Sequence, residues 1–124
     1  MQASDLRVLV IEDEEDSALM IGSALTYSGA QIWSAHSGEE GLELLGTVSP
    51  NLMLVDLSLP GIDGWTFLDR VRNNPKTSSI PAIVVSAYLT PTVAQKALQA
   101  GFSACFPKPI DTTSLVRQLV SILS

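Results

Sequence analysis

Leu52-Met53-Leu54-Val55-Asp56 is a run of four apolar residues that ends in a carboxylate. A short, wholly apolar run of this kind is typical of a strand that is buried on both faces, as in a parallel sheet. Residues 8–13, Val-Leu-Val-Ile-Glu-Asp, repeat the arrangement near the start of the chain. The two runs together predict an α/β protein in which acidic residues follow buried strands.

Segments of helical period separate the apolar runs, and the alternation of strand and helix repeats five times. The predicted strands are residues 6–11, 31–35, 52–55, 82–85 and 104–106. The predicted helices, each with its capping or first residue included, are residues 17–27, 37–45, 65–73, 90–101 and 111–123. Because each crossover must pack a helix back on the sheet, we expect a flavodoxin-like (βα)5 fold. This is a doubly wound parallel sheet with strand order 2-1-3-4-5, in one domain over residues 1–124.

Composition argues against several classes of protein. Of the 124 residues, 46% are hydrophobic, which is enough to bury the core of one domain. No apolar run approaches the roughly 18 residues of a membrane span, and the first five residues do not begin a signal peptide. The single cysteine, Cys105, fits a reducing cytoplasm. A net charge of −6 with scattered basic residues disfavours direct binding of nucleic acid.

Three carboxylates follow strands that the expected topology makes neighbours. Glu12 and Asp13 follow the first strand and Asp56 follows the third, at the switch point where ligands bind in such sheets. Like charges this close repel one another unless a cation lies between them, and a site made of oxygen ligands suits Mg²⁺. The sequence therefore predicts a magnesium site at this edge.

A hydroxyl and an ammonium group are expected at the same edge, because Ser86 ends the fourth strand and Lys108 follows the fifth. With the acids, they are the groups needed for phosphoryl transfer to a carboxylate. In this hypothesis Asp56 attacks the phosphorus in line, with Mg²⁺ held by Asp13 and Asp56 and with Glu12 acting through water. Lys108 and Ser86 bind the remaining oxygens, and the added charge draws Ser86 inward.

Four segments resemble the signature segments of response regulator receiver domains: residues 8–14, 54–64, 84–87 and 106–109. The resemblance covers the whole chain. It implies Asp56 as phosphoacceptor, Glu12 and Asp13 as the acidic pair, the Ser58 carbonyl as a further metal ligand, Ser86 as the switch hydroxyl, Lys108 as the phosphate-binding lysine, and a cis Lys108–Pro109 bond.

The resemblance also implies partners. A histidine kinase or phosphotransfer protein donates the phosphoryl group, and a downstream protein binds the face formed by the fourth helix, fifth strand and fifth helix. The protein would be a cytoplasmic monomer or weak dimer, without membrane or nucleic-acid contacts. Its only catalysis would be its own Mg²⁺-dependent phosphorylation and dephosphorylation.

The sequence departs from the family at the switch. Three residues before the lysine the family usually has Tyr or Phe, whereas this chain has Cys105. Phe106 is no substitute, since successive strand residues point to opposite faces. A thiol is too small to swing between positions as a ring does, so we expect the loop with Tyr88 to carry the change.

Alternatives remain open at this level. The acidic run 12–16 could simply begin the first helix, with Asp13 or Asp16 as its cap. A phosphatase of the haloacid dehalogenase type also uses a nucleophilic Asp and magnesium, but it expects an acid where this chain has Ser58. A flavin-binding module would want a phosphate loop where the acidic run stands. The chain could also be a receiver excised from a larger regulator or hybrid kinase.

Overall fold

The structure is a computed structural model that describes all residues from 1 to 124. Its single sheet has five parallel strands in the order β2-β1-β3-β4-β5, which confirms the predicted topology. The strands are β1 Arg7–Ile11, β2 Gln31–Ala35, β3 Leu52–Asp56, β4 Ala82–Ser86 and β5 Ala104–Pro107. Two of the predicted polar residues, Asp56 and Ser86, are thus the last residues of their strands.

Five α-helices connect or follow the strands, after a short 3-10 helix at Ala3–Asp5. They are α1 Glu15–Tyr27, α2 Gly38–Leu44, α3 Gly64–Arg72, α4 Pro91–Ala100 and α5 Leu115–Leu123. None of these helices has the length and apolar character needed to cross a bilayer.

Alternation along the strands divides the core into two halves, one on each face of the sheet. Leu9 and Ile11 pack in one cluster with Phe67 of α3, while Val8 and Val10 pack in the other with helices α1 and α5. Each fully buried side chain of this size stabilises the fold by roughly 1.5–3 kcal/mol relative to exposure. Because both faces are covered, only the strand ends are free to carry polar chemistry.

Side-chain caps begin three of the helices. The oxygens of Ser37, Asp63 and Thr90 accept hydrogen bonds from backbone N–H groups at 3.1, 2.9 and 3.2 Å. Gly101 ends α4 in the left-handed region, with φ of 112°. The predicted cap at Ser37, the predicted helix start at Thr90-Pro91 and the predicted stop at Gly101 are therefore confirmed.

Two helix starts differ from the sequence prediction. Asp111 does not cap α5, which begins at Leu115 after Ser114. The Asp111 carboxylate instead accepts hydrogen bonds from the N–H and hydroxyl of Thr113, because a turn precedes the helix. Helix α1 begins after Glu14, whose side chain makes no capping bond, so neither Asp13 nor Asp16 is its cap.

Candidate functional site at the strand ends

The three predicted metal-binding acids meet at the carboxyl ends of β1 and β3. Ile11 and Val55 are partners in the sheet, so the residues that follow them, Glu12 and Asp56, lie side by side. Carboxylate oxygens of Glu12, Asp13 and Asp56 lie within 4.8 Å of one another. Glu12 and Asp56 are buried, with 2% and 5% of their surface exposed, whereas Asp13 is exposed. The exposed member of this acidic cluster is therefore Asp13.

Lys108 reaches this cluster from the end of β5. Its Nζ lies 2.5 Å from Glu12 Oε1, 2.8 Å from Asp56 Oδ2 and 2.8 Å from Glu14 Oε1. Only 8% of the Lys108 side chain is exposed. The peptide bond between Lys108 and Pro109 is cis, as the resemblance implies. Sequence reasoning brought Lys108 to the acids correctly but did not anticipate the contact with Glu14.

Burial and pairing shift the pKa values of these groups in opposite directions. Burial raises the pKa of Glu12 to about 7, although the contact with the Lys108 ammonium group lowers this pKa. Burial would also raise the pKa of Asp56, but hydrogen bonds with Lys108, Glu12 and the Ser58 N–H lower it overall. Burial works to lower the pKa of Lys108, yet its bonds to Asp56, Glu12 and Glu14 raise it. Asp56 is thus kept as a carboxylate beside a permanent cation.

The donor set fits a hard divalent cation. Glu12 Oε1 is buried and accepts no hydrogen bond, even though Lys108 Nζ forms an ion pair with it. This ion pair is the one polar contact of the oxygen, so its lone pairs have no hydrogen-bond donor and can face a further positive charge. Three carboxylates with one unsatisfied buried oxygen match the all-oxygen coordination of Mg²⁺.

Ser86 lies at the neighbouring strand end. Its side chain is 3% exposed, and its carbonyl accepts a hydrogen bond from the Lys108 N–H at 2.9 Å. The Ser86 hydroxyl oxygen accepts from the Tyr88 N–H at 3.1 Å. Ser86 therefore links the end of β5 to the loop that carries Tyr88, whose side chain is 79% exposed.

The loop after β3 closes tightly over Asp56. The Ser58 N–H donates to Asp56 Oδ1 at 2.9 Å, and the Ser58 side chain is exposed. At Gly64 a Cβ atom would lie 2.6 Å from the Asp56 carbonyl oxygen. Sequence reasoning did not single out Gly64 as part of the site. The signal for it in the sequence was the second glycine of the run Gly61-Ile62-Asp63-Gly64. Gly61 has a positive φ of 71°, whereas Gly64 does not, so Gly64 is required by its close contact with Asp56.

Cys105 and Phe106 face opposite sides of the sheet, as expected. Cys105 packs against the cluster that contains Phe67, and Phe106 packs against the cluster that contains Val10. Cys105 is half-buried, and burial raises the pKa of its thiol. The thiol is thus a packing group in this structure.

Comparison with known proteins agrees with this geometry. The profile of the family described as "Response regulator receiver domain" matches residues 8–120. A Rhizobium etli protein named "Probable chemotaxis protein CheY" is 34% identical over 108 residues, which cover 86% of this chain and 84% of that protein. The sensor histidine kinase CheAY of Helicobacter pylori is 32% identical over 124 residues, which cover 96% of this chain and 15% of the kinase.

Solved structures show the same architecture. The signal receiver domain of a DNA binding response regulator from Colwellia psychrerythraea 34H is 29% identical, with a TM-score of 0.86, over 96% of this chain and 98% of that one. The chemotaxis response regulator CheY4 of Vibrio cholerae has a TM-score of 0.87 at 20% identity, over 94% and 98% of the two chains, and supports the fold alone. With its strand order, its acidic edge and a family profile spanning nearly its whole length, the chain belongs to the response regulator receiver domain family.

Proposed function

We propose that Asp56 accepts a phosphoryl group and that the resulting charge switches the binding of a partner protein. The observation that carries this proposal is the Asp56 carboxylate itself. It is 5% exposed, has a lowered pKa, and lies 2.8 Å from Lys108 Nζ. A buried carboxylate that stays ionised beside a fixed cation is suited to act as a nucleophile toward phosphorus.

The reaction transfers one phosphoryl group. An oxygen of Asp56 forms a bond to phosphorus while the bond from phosphorus to the donor breaks. A histidine donor leaves with the electron pair and takes a proton from solvent. Water later attacks the phosphorus of the aspartyl phosphate, which restores Asp56 and releases inorganic phosphate.

The chain's other residues hold the phosphoryl oxygens. Lys108 donates N–H groups to one oxygen and Ser86 donates its hydroxyl to another, which stabilises charge as it develops. Glu12, Asp13, Asp56 and the Ser58 carbonyl are the groups that would hold Mg²⁺, which supplies positive charge to the phosphoryl oxygens when bound.

The switch follows from the contacts of Ser86. When its hydroxyl turns to a phosphoryl oxygen, the bond from the Tyr88 N–H is lost or re-formed at a new angle. The loop after β4 then moves, and with it the exposed Tyr88 beside α4. We propose that a downstream protein reads this change on the face formed by α4, β5 and α5. Cys105 serves as packing on that face and not as a moving group.

We also propose that the protein acts as a single-domain cytoplasmic regulator that takes its phosphoryl group from a histidine kinase or phosphotransfer protein. The similarity to the Rhizobium etli chemotaxis protein covers 84% of that protein, which supports a regulator that consists of a receiver domain alone. The similarity to the Helicobacter pylori sensor histidine kinase covers only 15% of that kinase. This supports a second candidate function, that of a receiver domain within a longer chain.

Intact-mass measurement with acetyl phosphate and Mg²⁺ tests the phosphoacceptor. The wild-type protein should gain one phosphoryl mass and Asp56→Asn none. Asp63→Asn is the matched control, because Asp63 is an exposed helix cap and Asn caps equally well. A phosphoryl mass on Asp56→Asn would contradict the assignment. Sustained hydrolysis of phosphate esters by the wild type would favour a phosphatase instead.

A further inference from the structure

We propose that Glu14 is a positioning residue that restrains Lys108 and thereby limits how fast Asp56 is phosphorylated. The inference rests on the proposed function, since it concerns the same reaction. Glu14 Oε1 lies 2.8 Å from Lys108 Nζ and accepts a hydrogen bond from it. The transfer described above does not need this contact, so the contact must be explained separately.

The number of donors on Lys108 makes the contact consequential. An ammonium group has three N–H donors. Three carboxylates, those of Glu12, Asp56 and Glu14, lie 2.5, 2.8 and 2.8 Å from the Lys108 nitrogen. Two of these donors bond to Glu14 and Asp56, and the ion pair with Glu12 occupies a further side of the nitrogen. Lys108 therefore has to leave one of the three carboxylates before it can bind a phosphoryl oxygen.

Glu14 is the carboxylate that leaves at the lowest cost. Its side chain is 61% exposed, against 2% for Glu12 and 6% for Asp56. An exposed carboxylate that loses its partner is hydrated by water, whereas a buried one is left with an uncompensated charge. Release of Glu14 is therefore the step that frees Lys108 for the phosphoryl group.

The negative charge of Glu14 should slow phosphorylation, as its contact with Lys108 does. Its exposed carboxylate stands beside Lys108, near the position at which an anionic phosphodonor must arrive. Like charge at the entrance lowers the local concentration of such a donor. Restraint of Lys108 and repulsion of the donor both slow phosphorylation.

The side chain of Glu14 can be changed without harm to the fold. Its backbone N–H donates to Glu12 Oε2 at 3.1 Å, and this bond is independent of the side chain. The side chain makes no capping bond although Glu14 precedes α1. Glu15, the next residue, is exposed and makes no ion pair, so it offers a control with the same change in charge.

The test compares Glu14→Gln, Glu15→Gln and Glu14→Asp with the wild type in acetyl phosphate and Mg²⁺, by intact mass against time. Glu14→Gln should be phosphorylated about two- to fivefold faster, the range that an ion pair with one exposed partner supports. Glu15→Gln should stay close to the wild type, and Glu14→Asp should restore part of the restraint. The NMR resonances of the Lys108 side chain should shift in Glu14→Gln before any donor is added, but not in Glu15→Gln.

Three results would overturn the inference. An unchanged or lower rate in Glu14→Gln would show that Lys108 is not restrained by this residue. Equal acceleration in Glu15→Gln would reduce the effect to net charge. In both cases phosphorylation of Asp56 itself would stand. If the wild type gained no phosphoryl group at all, the proposed function would fail, and the role of Glu14 with it.

Discussion

Glu12 is a residue whose acidity is strongly altered by its place in the fold. It follows β1 directly and is 2% exposed, and burial raises its pKa to about 7. In the folded, metal-free protein the carboxyl thus holds its proton more tightly than in the unfolded chain, where its pKa is near 4.5. The contribution of this group to stability is therefore lost as pH rises from about 4.5 to about 7, and a bound cation offsets that loss.

Binding of Mg²⁺ should therefore release a proton in a pH-dependent manner. Below pH 7 Glu12 is mostly protonated and must lose its proton to face the cation, whereas near pH 8 it is already ionised. Calorimetric titration with MgCl₂ in buffers of different ionisation enthalpy should count close to one released proton at pH 6 and almost none at pH 8. Affinity should rise over the same interval.

Two variants check the origin of that proton. Glu12→Gln should abolish proton release while Asp13 and Asp56 still give weak binding. Asp13→Asn should lose most of the Mg²⁺ affinity. Proton release that persists in Glu12→Gln would assign the titration to another group, and unchanged binding in Asp13→Asn would remove Asp13 from the ligand set.

Helices and strands differ in how far their sequences predicted them. The apolar runs of β1 and β3 were recognisable because both faces are buried, which leaves no polar residue to interrupt them. The start of α5 could not be recognised in the sequence, because Asp111, Thr113 and Ser114 all have side chains that can bond a nearby N–H. The backbone path set by the tertiary structure decides which of these side chains caps the turn and which caps the helix. The neighbouring sequence alone does not determine that path.

Gly64 is the first residue of α3 and packs against the backbone of Asp56, so it should tolerate no side chain. A Cβ there would lie 2.6 Å from the Asp56 carbonyl oxygen and 2.9 Å from Leu57 Cα, both backbone atoms that cannot move aside cheaply. We expect Gly64→Ala to lower the free energy of unfolding in urea by about 1–3 kcal/mol. The same variant should slow phosphorylation, since it displaces Asp56.

Gly22→Ala is the control for that substitution. Its Cβ would meet only Ile32 Cδ1, at 2.9 Å, which is the far end of a flexible side chain. Alanine also gains roughly 0.5–1 kcal/mol of helix propensity in α1. A stability near that of the wild type is expected. Equal losses in both variants would mean that the approach of Gly64 to Asp56 is not specially tight.

At the scale of the whole molecule, topology brings together groups that are far apart in the sequence. The order of the sheet was predictable because right-handed crossovers leave few arrangements for five alternating units. That order placed Glu12, Asp56 and Lys108 at one edge. The Glu14–Lys108 contact spans 94 residues and depends on how long side chains orient at a surface, which no sequence pattern specifies.

The proposed switch pathway involves the whole molecule and can be tested by NMR with beryllofluoride, a phosphoryl mimic. Chemical-shift changes should spread from Asp56 to Ser86 and Tyr88, because the Tyr88 N–H bonds to the Ser86 hydroxyl. Cys105 should change little, since its half-buried thiol packs against the core. A large rearrangement centred on Cys105 with Tyr88 unmoved would contradict the proposed route.

The ion pairs of this molecule all end on one atom, Lys108 Nζ. No other basic side chain is tied to an acidic one, and Lys76 and Lys96 are exposed with no side-chain hydrogen bond. For protein engineering, the outer surface can therefore be recoded for solubility, labelling or immobilisation without breaking an ion pair. Residues at the rim of the site cannot be substituted in the same way, because a single change of charge there alters the ion pairs of Lys108.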